Sequence, residues 1–307
     1  MLKAPCILRP FILLFALTIS MCQCKQEEYV NICFTGDVLL DRGVRTQIEK
    51  KGIAHLLDSV ATLFQSVDAT VINLECPVTS NISPIHKRFI FRADPEWLPA
   101  LKEAGITHAA LANNHSMDQG PEGLEDTYNH LHANGIIPVG YGDTQHLACE
   151  PKFIRKKGIE IALYSSVLIP LENWVYLEND KGICQATVDM LVDEIQSLKS
   201  RKPKCYIVAM LHWGIEYQEH PTPFQRREAY RLINAGADAI IGHHPHVIQQ
   251  EEVYLGKPIF YSLGNFIFDQ SRPETNQSLV VEISFGKDSL SYQKHEVRIE
   301  ACKPVLQ

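Results

Sequence analysis

Six side chains of the types that bind metal ions lie in short polar motifs of this 307-residue chain. Carboxylate, carboxamide and imidazole groups bind divalent cations at about 2.0–2.2 Å. The pattern therefore predicts a site for one or two divalent ions, and Mn, Zn, Fe and Mg all fit these donors. The predicted ligands are Asp37 (FTGDV), Glu75 (NLE), Asn114 (NNH), His212 (LHWG), and His244 and His246 (GHHPHV).

The histidine-rich motif GHHPHV carries more weight than the others. An isolated histidine is usually an ordinary core or surface residue, but His244 and His246 lie two residues apart after an apolar stretch. Asp37 alone could cap a helix, and Glu75 alone could be an exposed loop carboxylate. The ordered set of motifs, rather than any single one, predicts the metal site.

Four further polar residues lie near these motifs. Arg42 could bind a substrate oxyanion through its guanidinium fork, or it could form a salt bridge on a helix surface. Glu216 shares a motif with His212 and could orient that imidazole or act as a base, and the sequence leaves both roles open. Asn265 and Asp269 are expected to line the rim of the cleft, within reach of substrate, or to fix its loop.

Strand and helix patterns alternate from about residue 29 onward, which predicts one α/β domain with hairpins at its edges. Strands are predicted at 29–35, 69–74, 108–112, 136–139, 206–211, 239–241 and 259–263. Helices are predicted at 48–64, 96–104, 120–134, 188–200 and 223–235, and hairpins at 153–166 and 279–298. The candidate ligands follow the carboxyl ends of predicted strands, the edge at which open α/β sheets build their sites.

The composition excludes several classes of protein. With 45% hydrophobic and 21% charged residues, the chain is globular rather than disordered. Its 29 basic residues are outnumbered by 36 acidic ones without a basic stripe, so nucleic acid is not an expected partner. The chain lacks a GxSxG elbow, an HExxH motif, a phosphate-binding loop and a dinucleotide fingerprint. Its cysteines form no CxxC pair, and one or two disulfides fit an oxidising compartment.

The N-terminal segment 1–24 resembles a secretion signal. Two basic residues precede an uncharged stretch at 10–21, which is too short to span a bilayer as a mature helix. The stretch ends at Cys22 and Cys24 and then becomes polar, as in a bacterial lipoprotein signal, and either cysteine could be acylated. This pattern predicts an extracytoplasmic protein anchored to the membrane by its N-terminus. An ordinary cleaved signal and a short uncleaved anchor are the alternatives.

Six motifs in order resemble the CapA-like, poly-gamma-glutamate capsule biosynthesis protein family: FTGDVLLDR, NLECPVT, NNHSMDQG, LHWGIEY, GHHPHVIQ and YSLGNFIFDQ. That family is similar in turn to the calcineurin-like metallophosphoesterases. The resemblance covers residues 29–270 and implies a four-layer α/β/β/α sandwich, closed by further strands within 271–307. It also implies a membrane-tethered protein that makes, exports or anchors an anionic surface polymer, with the capsule synthesis machinery as its partner.

The resemblance further implies how the ligands are shared between two ions. Glu75 would match the carboxylate that bridges both metals. Metallophosphoesterases usually have a histidine two residues after the first aspartate, whereas this chain has Leu39, so occupancy by one ion is an alternative. The implied sets are Asp37, Glu75 and His246 for one ion, and Glu75, Asn114, His212 and His244 for the other.

Two functional hypotheses follow. In the first, the chain is a metal-dependent hydrolase of a phosphoester or carboxylate substrate, or of the polymer itself. By resemblance, His115, held by Asp118, would protonate the leaving group. In the second, the chain is a non-catalytic polymer-binding accessory with a degenerate metal site. A substrate-binding lipoprotein of a transporter fits less well, because a single continuous domain is expected rather than two lobes.

Overall fold

The computed structural model describes Met1, residues 28–171 and residues 180–307. Its strands are β1 (Val30–Val38), β2 (Ala69–Leu74), β3 (His108–Ala110), β4 (Ile137–Val139), β5 (Tyr141–Gly142), β6 (Lys152–Lys156), β7 (Ile159–Val167), β8 (Gly182–Ile183), β9 (Tyr206–His212), β10 (Ala239–His243), β11 (Glu251–Tyr254), β12 (Lys257–Phe260), β13 (Asn265–Ile267), β14 (Gln277–Phe285), β15 (Leu290–Glu300) and β16 (Lys303–Leu306). Its α-helices are α1 (Gly43–Lys51), α2 (Ala54–Ser66), α3 (Leu98–Glu103), α4 (Gly120–Ala133), α5 (Gln145–Cys149), α6 (Val188–Arg201) and α7 (Pro223–Ala235), with short 3-10 helices at Pro95–Trp97 and Pro273–Asn276.

Two large sheets contain most of these strands. The first has the order β16-β15-β14-β1-β2-β3-β4, with β13 also pairing with β1, and the second has the order β11-β12-β10-β9-β7-β6. β1, β2, β3 and β4 run parallel to one another, as do β7, β9, β10 and β12. The short β5 and β8 form a separate ribbon. Because parallel strands end at the same edge of their sheet, each sheet collects the residues that follow its strands.

Alternation of side chains along the strands produces the layers of the fold. Ile32 and Phe34 of β1 share a buried cluster with Val208 and Met210 of β9, so this cluster lies between the two sheets. Cys33 lies between Ile32 and Phe34 in sequence, but it belongs to a different buried cluster, which includes residues of the helices. Successive side chains of a strand point to opposite faces, so each sheet packs on the other sheet and on helices. The fold is the expected four-layer α/β/β/α sandwich.

Most of the predicted elements are confirmed, and one is wrong. The predicted continuous helix over 48–64 is in fact two helices, α1 and α2, separated at Gly52, whose φ is 78°. Glycine adopts this left-handed conformation without strain, so the chain turns although the apolar spacing continues. The predicted hairpins correspond to β6 with β7 and β14 with β15, and the last three predicted helices correspond to α4, α6 and α7.

One disulfide is present among the described residues. Cys149, at the end of α5, is bonded to Cys184, which directly follows β8. The predicted signal segment, with Cys22 and Cys24, lies outside the described residues apart from Met1. Within the part of the chain that the structure describes, no helix is long and apolar enough to cross a membrane.

Candidate metal centre

The predicted ligands come from both sheets and meet where the sheets face each other. β1, β2 and β3 are parallel neighbours in the first sheet, and His212 of β9 is paired with His243 of β10 in the second. The carboxyl ends of these strands therefore lie side by side. The ligand positions are Asp37 in β1, Glu75 after β2, Asn114 after β3, His212 at the end of β9, and His244 and His246 after β10.

Two glycines allow the backbone to approach closely beside the ligands. A Cβ atom at Gly36 would overlap the carbonyl oxygen of Gly264, and one at Gly242 would overlap that of Tyr261. Gly36 directly precedes Asp37 in the motif FTGDV. The glycines of the motifs FTGDV and GHHPHV thus let neighbouring backbone segments pack closely. This packing fixes the positions of the polar residues that follow each glycine.

The histidine motif has an unusual backbone conformation. His244 has φ 100° and His246 has φ 59°, values that L-residues other than glycine adopt rarely. Such conformations cost about 1–3 kcal/mol each and persist where the surrounding structure enforces them, often at functional sites. Here they turn two buried imidazoles toward the carboxylates of the other sheet.

Asp37, Glu75 and His246 form the buried centre of the cluster. His246 Nδ1 lies 3.2 Å from Asp37 Oδ2, and His246 Nε2 lies 3.7 Å from Glu75 Oε1. Asn73 Nδ2 donates to Asp37 Oδ1 at 2.8 Å and lies 3.5 Å from Glu75 Oε2. Both carboxylates are completely buried. Buried carboxylates are stable only when cations or hydrogen bonds compensate their charge, so this pair requires positive charge nearby.

The donor atoms fit a divalent cation. Glu75 Oε1, His212 Nδ1 and His244 Nδ1 are buried and have no hydrogen-bond partner among the described residues. Leaving such an atom unpaired costs about 1–3 kcal/mol, and all three are metal-binding atoms. Asp37, Glu75 and His212 each offer a ligand atom within 4.8 Å of the others. Asn114 Oδ1 is 2.9 Å from His212 Nε2, so the carboxamide belongs to the same cluster.

Burial and mutual charge set the pKa values at the centre. Burial, with the neighbouring His246, lowers the pKa of His244 to about 3, and burial beside other imidazoles puts the pKa of His212 well below its usual range. Burial and the charge of Asp37 raise the pKa of Glu75 well above its usual value. Burial alone would lower the pKa of His246, but Glu75 and Asp37 outweigh it and raise this pKa to about 9. His212 and His244 are thus neutral near pH 7, the form that binds metal.

His115 lies beside the ligands on the turn that follows Asn114. Its Nδ1 is 2.7 Å from Asp118 Oδ2, and its ring packs on Phe91 with centroids 4.2 Å apart. Burial lowers the pKa of His115, although the hydrogen bond to Asp118 opposes this effect. Because Nδ1 is occupied by Asp118, Nε2 is the nitrogen available to exchange a proton with a substrate.

Asn265 and Asp269 fix loops. Asn265 is completely buried, which rules out the rim position expected from the sequence, and its Oδ1 is 2.9 Å from His246 Nδ1. A second group that binds one imidazole nitrogen orients the other nitrogen toward a metal. Asp269 accepts a hydrogen bond from Gly43 N at 2.9 Å and forms an ion pair with Arg42. Arg42 thus forms an ion pair at the cavity rim rather than along its own helix, and oxyanion binding by its guanidinium stays a prediction.

Glu216 is not positioned to orient His212. His212 Nε2 contacts Asn114 and its Nδ1 has no partner among the described residues, while Glu216 is exposed. Both nitrogens of the His212 ring therefore lack a contact with Glu216, although the chain stays near the centre after the turn at Gly214, φ 92°. The expected orienting role of Glu216 is therefore corrected, and its role as a base stays a prediction.

A cavity of about 270 Å³ opens beside the centre and is lined by Arg42, Tyr217, Asp269, Gln270, Ser271 and Arg272. The Tyr217 ring lies 6.3 Å from the ring of His246, and the Arg272 guanidinium lies 4.0 Å above the Tyr217 ring. Tyr217 N donates to Pro245 O at 2.8 Å, which ties this rim to the histidine motif. Sequence reasoning missed both residues: Tyr217 ends the motif LHWGIEY but is not a metal-binding type, and Arg272 lies outside the motifs.

Leu39 occupies the position where metallophosphoesterases usually have a histidine. Its side chain is completely buried in the apolar cluster that includes the helices, and its backbone N–H donates to Ile267 O at 2.8 Å. If an ion binds in this half of the centre, Asp37, Glu75 and His246 would be its candidate protein ligands, without the additional imidazole.

Solved structures define the class to which this fold belongs. A putative 5'-nucleotidase from Staphylococcus aureus aligns with a TM-score of 0.52 at 15% identity, over 90% of this chain and 54% of that chain. The NAD nucleotidase NadN of Haemophilus influenzae aligns with a TM-score of 0.52 at 11% identity, over 91% and 54%. The chain has a 5'-nucleotidase-like metallophosphoesterase fold.

Sequence comparison identifies the family. The family model described as bacterial capsule synthesis protein PGA_cap matches residues 31–270, and the chain belongs to this family. The PGA biosynthesis protein CapA of Bacillus subtilis is 32% identical over 265 residues, 85% of this chain and 69% of that protein. The capsule biosynthesis protein CapA of Bacillus anthracis is 31% identical over 264 residues, 84% of this chain and 64% of that protein. The chain thus spans about two thirds of these relatives.

Metal binding is tested by the stability that it adds. Saturating Mn²⁺ is expected to stabilise the chelator-treated protein, by about 2.7 kcal/mol at a hundredfold excess over Kd. H244Q should lose most of this stabilisation, because it removes one buried donor. H108Q is the matched control, since His108 is also buried with a pKa lowered to about 4 but is not among the candidate ligands. Equal stabilisation of H244Q and wild type in thermal unfolding would rule out His244 as a ligand.

The stability of the metal-free protein should depend on pH through His246. Its folded pKa of about 9 exceeds the ordinary 6.5, so its stabilisation is complete below pH 6.5 and is lost as pH rises through about 9. The raised pKa of Glu75 acts in the same direction. Urea unfolding in chelator should show this decline for wild type and for H295Q, whose histidine pairs with Glu282 on the surface. A decline of the same size in H246Q would contradict the assignment.

Proposed function

We propose that this protein is a metal-dependent hydrolase of the cell envelope. It acts in the synthesis, export or anchoring of an anionic polymer such as poly-gamma-glutamate. The observation that carries the proposal is the convergence of six ligand side chains, three of them with buried donor atoms that lack protein partners. A structural metal site is usually closed by protein ligands, whereas this cluster lies beside a cavity and a histidine suited to proton transfer.

The residues around the centre would have different roles in hydrolysis. A divalent ion bound there supplies a Lewis acid that polarises a substrate oxygen and activates water. Asp37, Glu75, His212 and His244 would hold the ion, and Asn73 fixes the two carboxylates. In its imidazolium form His115 would give the Nε2 proton to the leaving group and become neutral, while its Nδ1–H donates to Asp118 and keeps the ring in one orientation.

The charge of the rim favours an anionic substrate. Two dications would bring about four positive charges against the two carboxylates, Asp37 and Glu75, leaving about two to attract an anion. Arg42 and Arg272 line the adjacent cavity, and Arg272 is exposed above Tyr217. Guanidinium groups match the geometry of both phosphate and carboxylate oxygens. A phosphoester and a gamma-glutamyl amide both develop an oxyanion during hydrolysis, so both suit this site.

The relatives suggest which polymer is involved. Two of them are named for the biosynthesis of PGA or of a capsule. Poly-gamma-glutamate carries a free carboxylate on every residue, which suits a cationic rim, and the capsule synthesis machinery is then the partner of this chain.

A non-catalytic polymer-binding accessory is the second candidate, and Leu39 favours it. Because Leu39 replaces a ligand with a buried apolar side chain, one half of the centre has three protein ligands. A centre that retains one ion could hold a carboxylate of the polymer without cleaving the chain.

Hydrolysis is tested on the purified full-length protein with Mn²⁺. Phosphomonoester, phosphodiester and gamma-glutamyl substrates are compared, and at least one should be turned over. E75Q and H244Q should each lower kcat/KM by about 10²–10³-fold, because each removes stabilisation of charge at the reacting centre. H108Q should keep the wild-type rate. If no substrate is turned over, and if E75Q and H244Q bind polyglutamate as tightly as wild type does, the hydrolase proposal is wrong and the polymer-binding accessory is favoured.

The N-terminal segment 1–24 and the disulfide together support an extracytoplasmic location. An uncharged stretch that ends at Cys22 and Cys24 suits a lipoprotein signal. Cys149 and Cys184 form a disulfide, a bond that persists in oxidising compartments. We propose that the body of the protein is held at the outer side of a membrane by a lipid on one of the two N-terminal cysteines.

Anchoring is tested by detergent phase partitioning of the protein from cells. The wild-type protein should enter the detergent phase, because acyl chains add about 0.8 kcal/mol of membrane affinity per buried CH₂. Either C22S or C24S should move the protein to the aqueous phase, and C302S serves as a control outside the segment. Detergent partitioning of the C22S/C24S double variant equal to wild type would exclude a lipid anchor on these cysteines.

A further inference from the structure

Lys87 lies beside the metal centre although it belongs to none of the conspicuous motifs. Its side chain is only 3% exposed and its ammonium group makes three polar contacts. Nζ donates to Asn114 O at 2.6 Å and to Asp118 Oδ1 at 2.9 Å, and it lies 3.2 Å from His115 Nδ1. Two of the three donors of the ammonium group are thus taken by oxygen acceptors, while His115 Nδ1, which itself donates to Asp118, is a close neighbour and not an acceptor.

The loop that carries Lys87 wraps around the turn that carries His115. Ile85 N donates to Asp118 O at 3.1 Å, and Ser83 N donates to the Gln119 side chain at 3.0 Å. Farther along the loop, Phe91 N donates to Asp118 Oδ2 at 2.8 Å. Lys87 contributes a charged group to these contacts between the loop and the turn. Its ammonium group contacts both Asn114 and Asp118, the two ends of the turn.

Asp118 shows why the ammonium group matters. Its carboxylate is completely buried, with Oδ1 accepting from Lys87 and Oδ2 accepting from Phe91 N and contacting His115 Nδ1. Without the lysine, one buried carboxylate oxygen would lose its partner and the carboxylate could rotate. The orientation of the His115 ring depends on that carboxylate.

The contact of Lys87 with Asn114 means that the lysine also positions a candidate metal ligand. Asn114 O accepts from Lys87, while Asn114 Oδ1 contacts His212 Nε2. One ammonium group thus fixes the backbone of a candidate ligand and the carboxylate that orients the candidate acid. An apolar side chain of similar volume would fill the same space without the cost of burying a charge, so packing alone does not explain a lysine here.

We propose that Lys87 is a positioning residue that holds Asn114 and the His115–Asp118 pair in place against the metal centre. This inference rests on the proposed function for the role of His115, but its effect on Asn114 concerns metal binding alone. Loss of the ammonium group should therefore weaken the binding of a divalent ion whether or not the protein is a hydrolase.

The experiment compares K87M, K87R and K199M in the full-length protein. Lys199 is a matched control, because its Nζ also bridges a backbone carbonyl, Cys205 O at 2.7 Å, and a carboxylate, Asp238 Oδ2 at 2.8 Å. The Kd for Mn²⁺ is measured by titration calorimetry. K87M should raise this Kd about 10–100-fold, the range typical of residues that orient metal ligands. K87R should recover part of the loss, and K199M should bind as wild type does.

A second readout separates positioning from general loss of stability. If the protein hydrolyses phosphoesters, K87M should lower kcat more for a phenyl ester than for a p-nitrophenyl ester, because the poorer leaving group depends more on proton donation. K199M should not lower kcat for the phenyl ester more than for the p-nitrophenyl ester. If the wild-type protein turns over no substrate but K87M binds Mn²⁺ more weakly than wild type, the hydrolase proposal is wrong and the inference about Lys87 still holds.

Two results would overturn the inference. One is a Kd for Mn²⁺ in K87M equal to that of wild type. The other is an equal loss of Mn²⁺ affinity in K87M and K199M, which would indicate a stability effect only. If K87M does not fold, K87Q replaces it under the same criteria, since glutamine retains a donor for one of the two acceptors but carries no charge.

Discussion

The burial of two neighbouring carboxylates is the constraint on which the rest of this structure depends. Asp37 and Glu75 are both inaccessible to solvent, and the imidazole of His246 and the amide of Asn73 lie against both of them. Such a pair is stable only with compensating positive charge, which a proton on His246 supplies in part and a divalent ion would supply in full. Glu75 Oε1 and two imidazole nitrogens also have no hydrogen-bond partner among the described residues, and a divalent ion would satisfy all three.

The architecture meets this constraint by joining two sheets at their carboxyl edges. The first sheet supplies the carboxylates and the second supplies the imidazoles of β9 and β10. Glycines at 36 and 242 let backbone segments pass where a side chain would collide. Around the candidate ligands, the amide side chains of Asn73 and Asn265 hold Asp37 and His246 without adding charge. The site is therefore a product of the packing of the whole sandwich rather than of one loop.

The sequence predicted that the candidate ligands would cluster, because strand ends and ligand types coincide. Asp37, Glu75 and the histidines each follow an apolar stretch, and parallel strands must bring such positions to one edge. It predicted the surrounding residues poorly, because their roles depend on contacts across the chain. Nothing local marks Lys87, whose partners lie about 30 residues away in a different motif. Asn265 was expected at the rim of the cleft or in its loop, and only the tertiary structure brings its amide to His246. The break at Gly52 was missed because helical spacing of apolar residues continues through it.

The division of the candidate ligands between two sheets has a consequence for how the protein would acquire an ion. Asp37 lies near the start of the described body and His246 lies far toward its end, so neither sheet alone contains the complete coordination set. Capture of an ion would follow the docking of one sheet on the other, and the free energy of binding would then belong to the assembled sandwich. If the chain is exported before it folds, the metal is chosen by the supply outside the cytoplasm. The identity of the ion would then reflect the environment of the envelope as much as the preference of the donors.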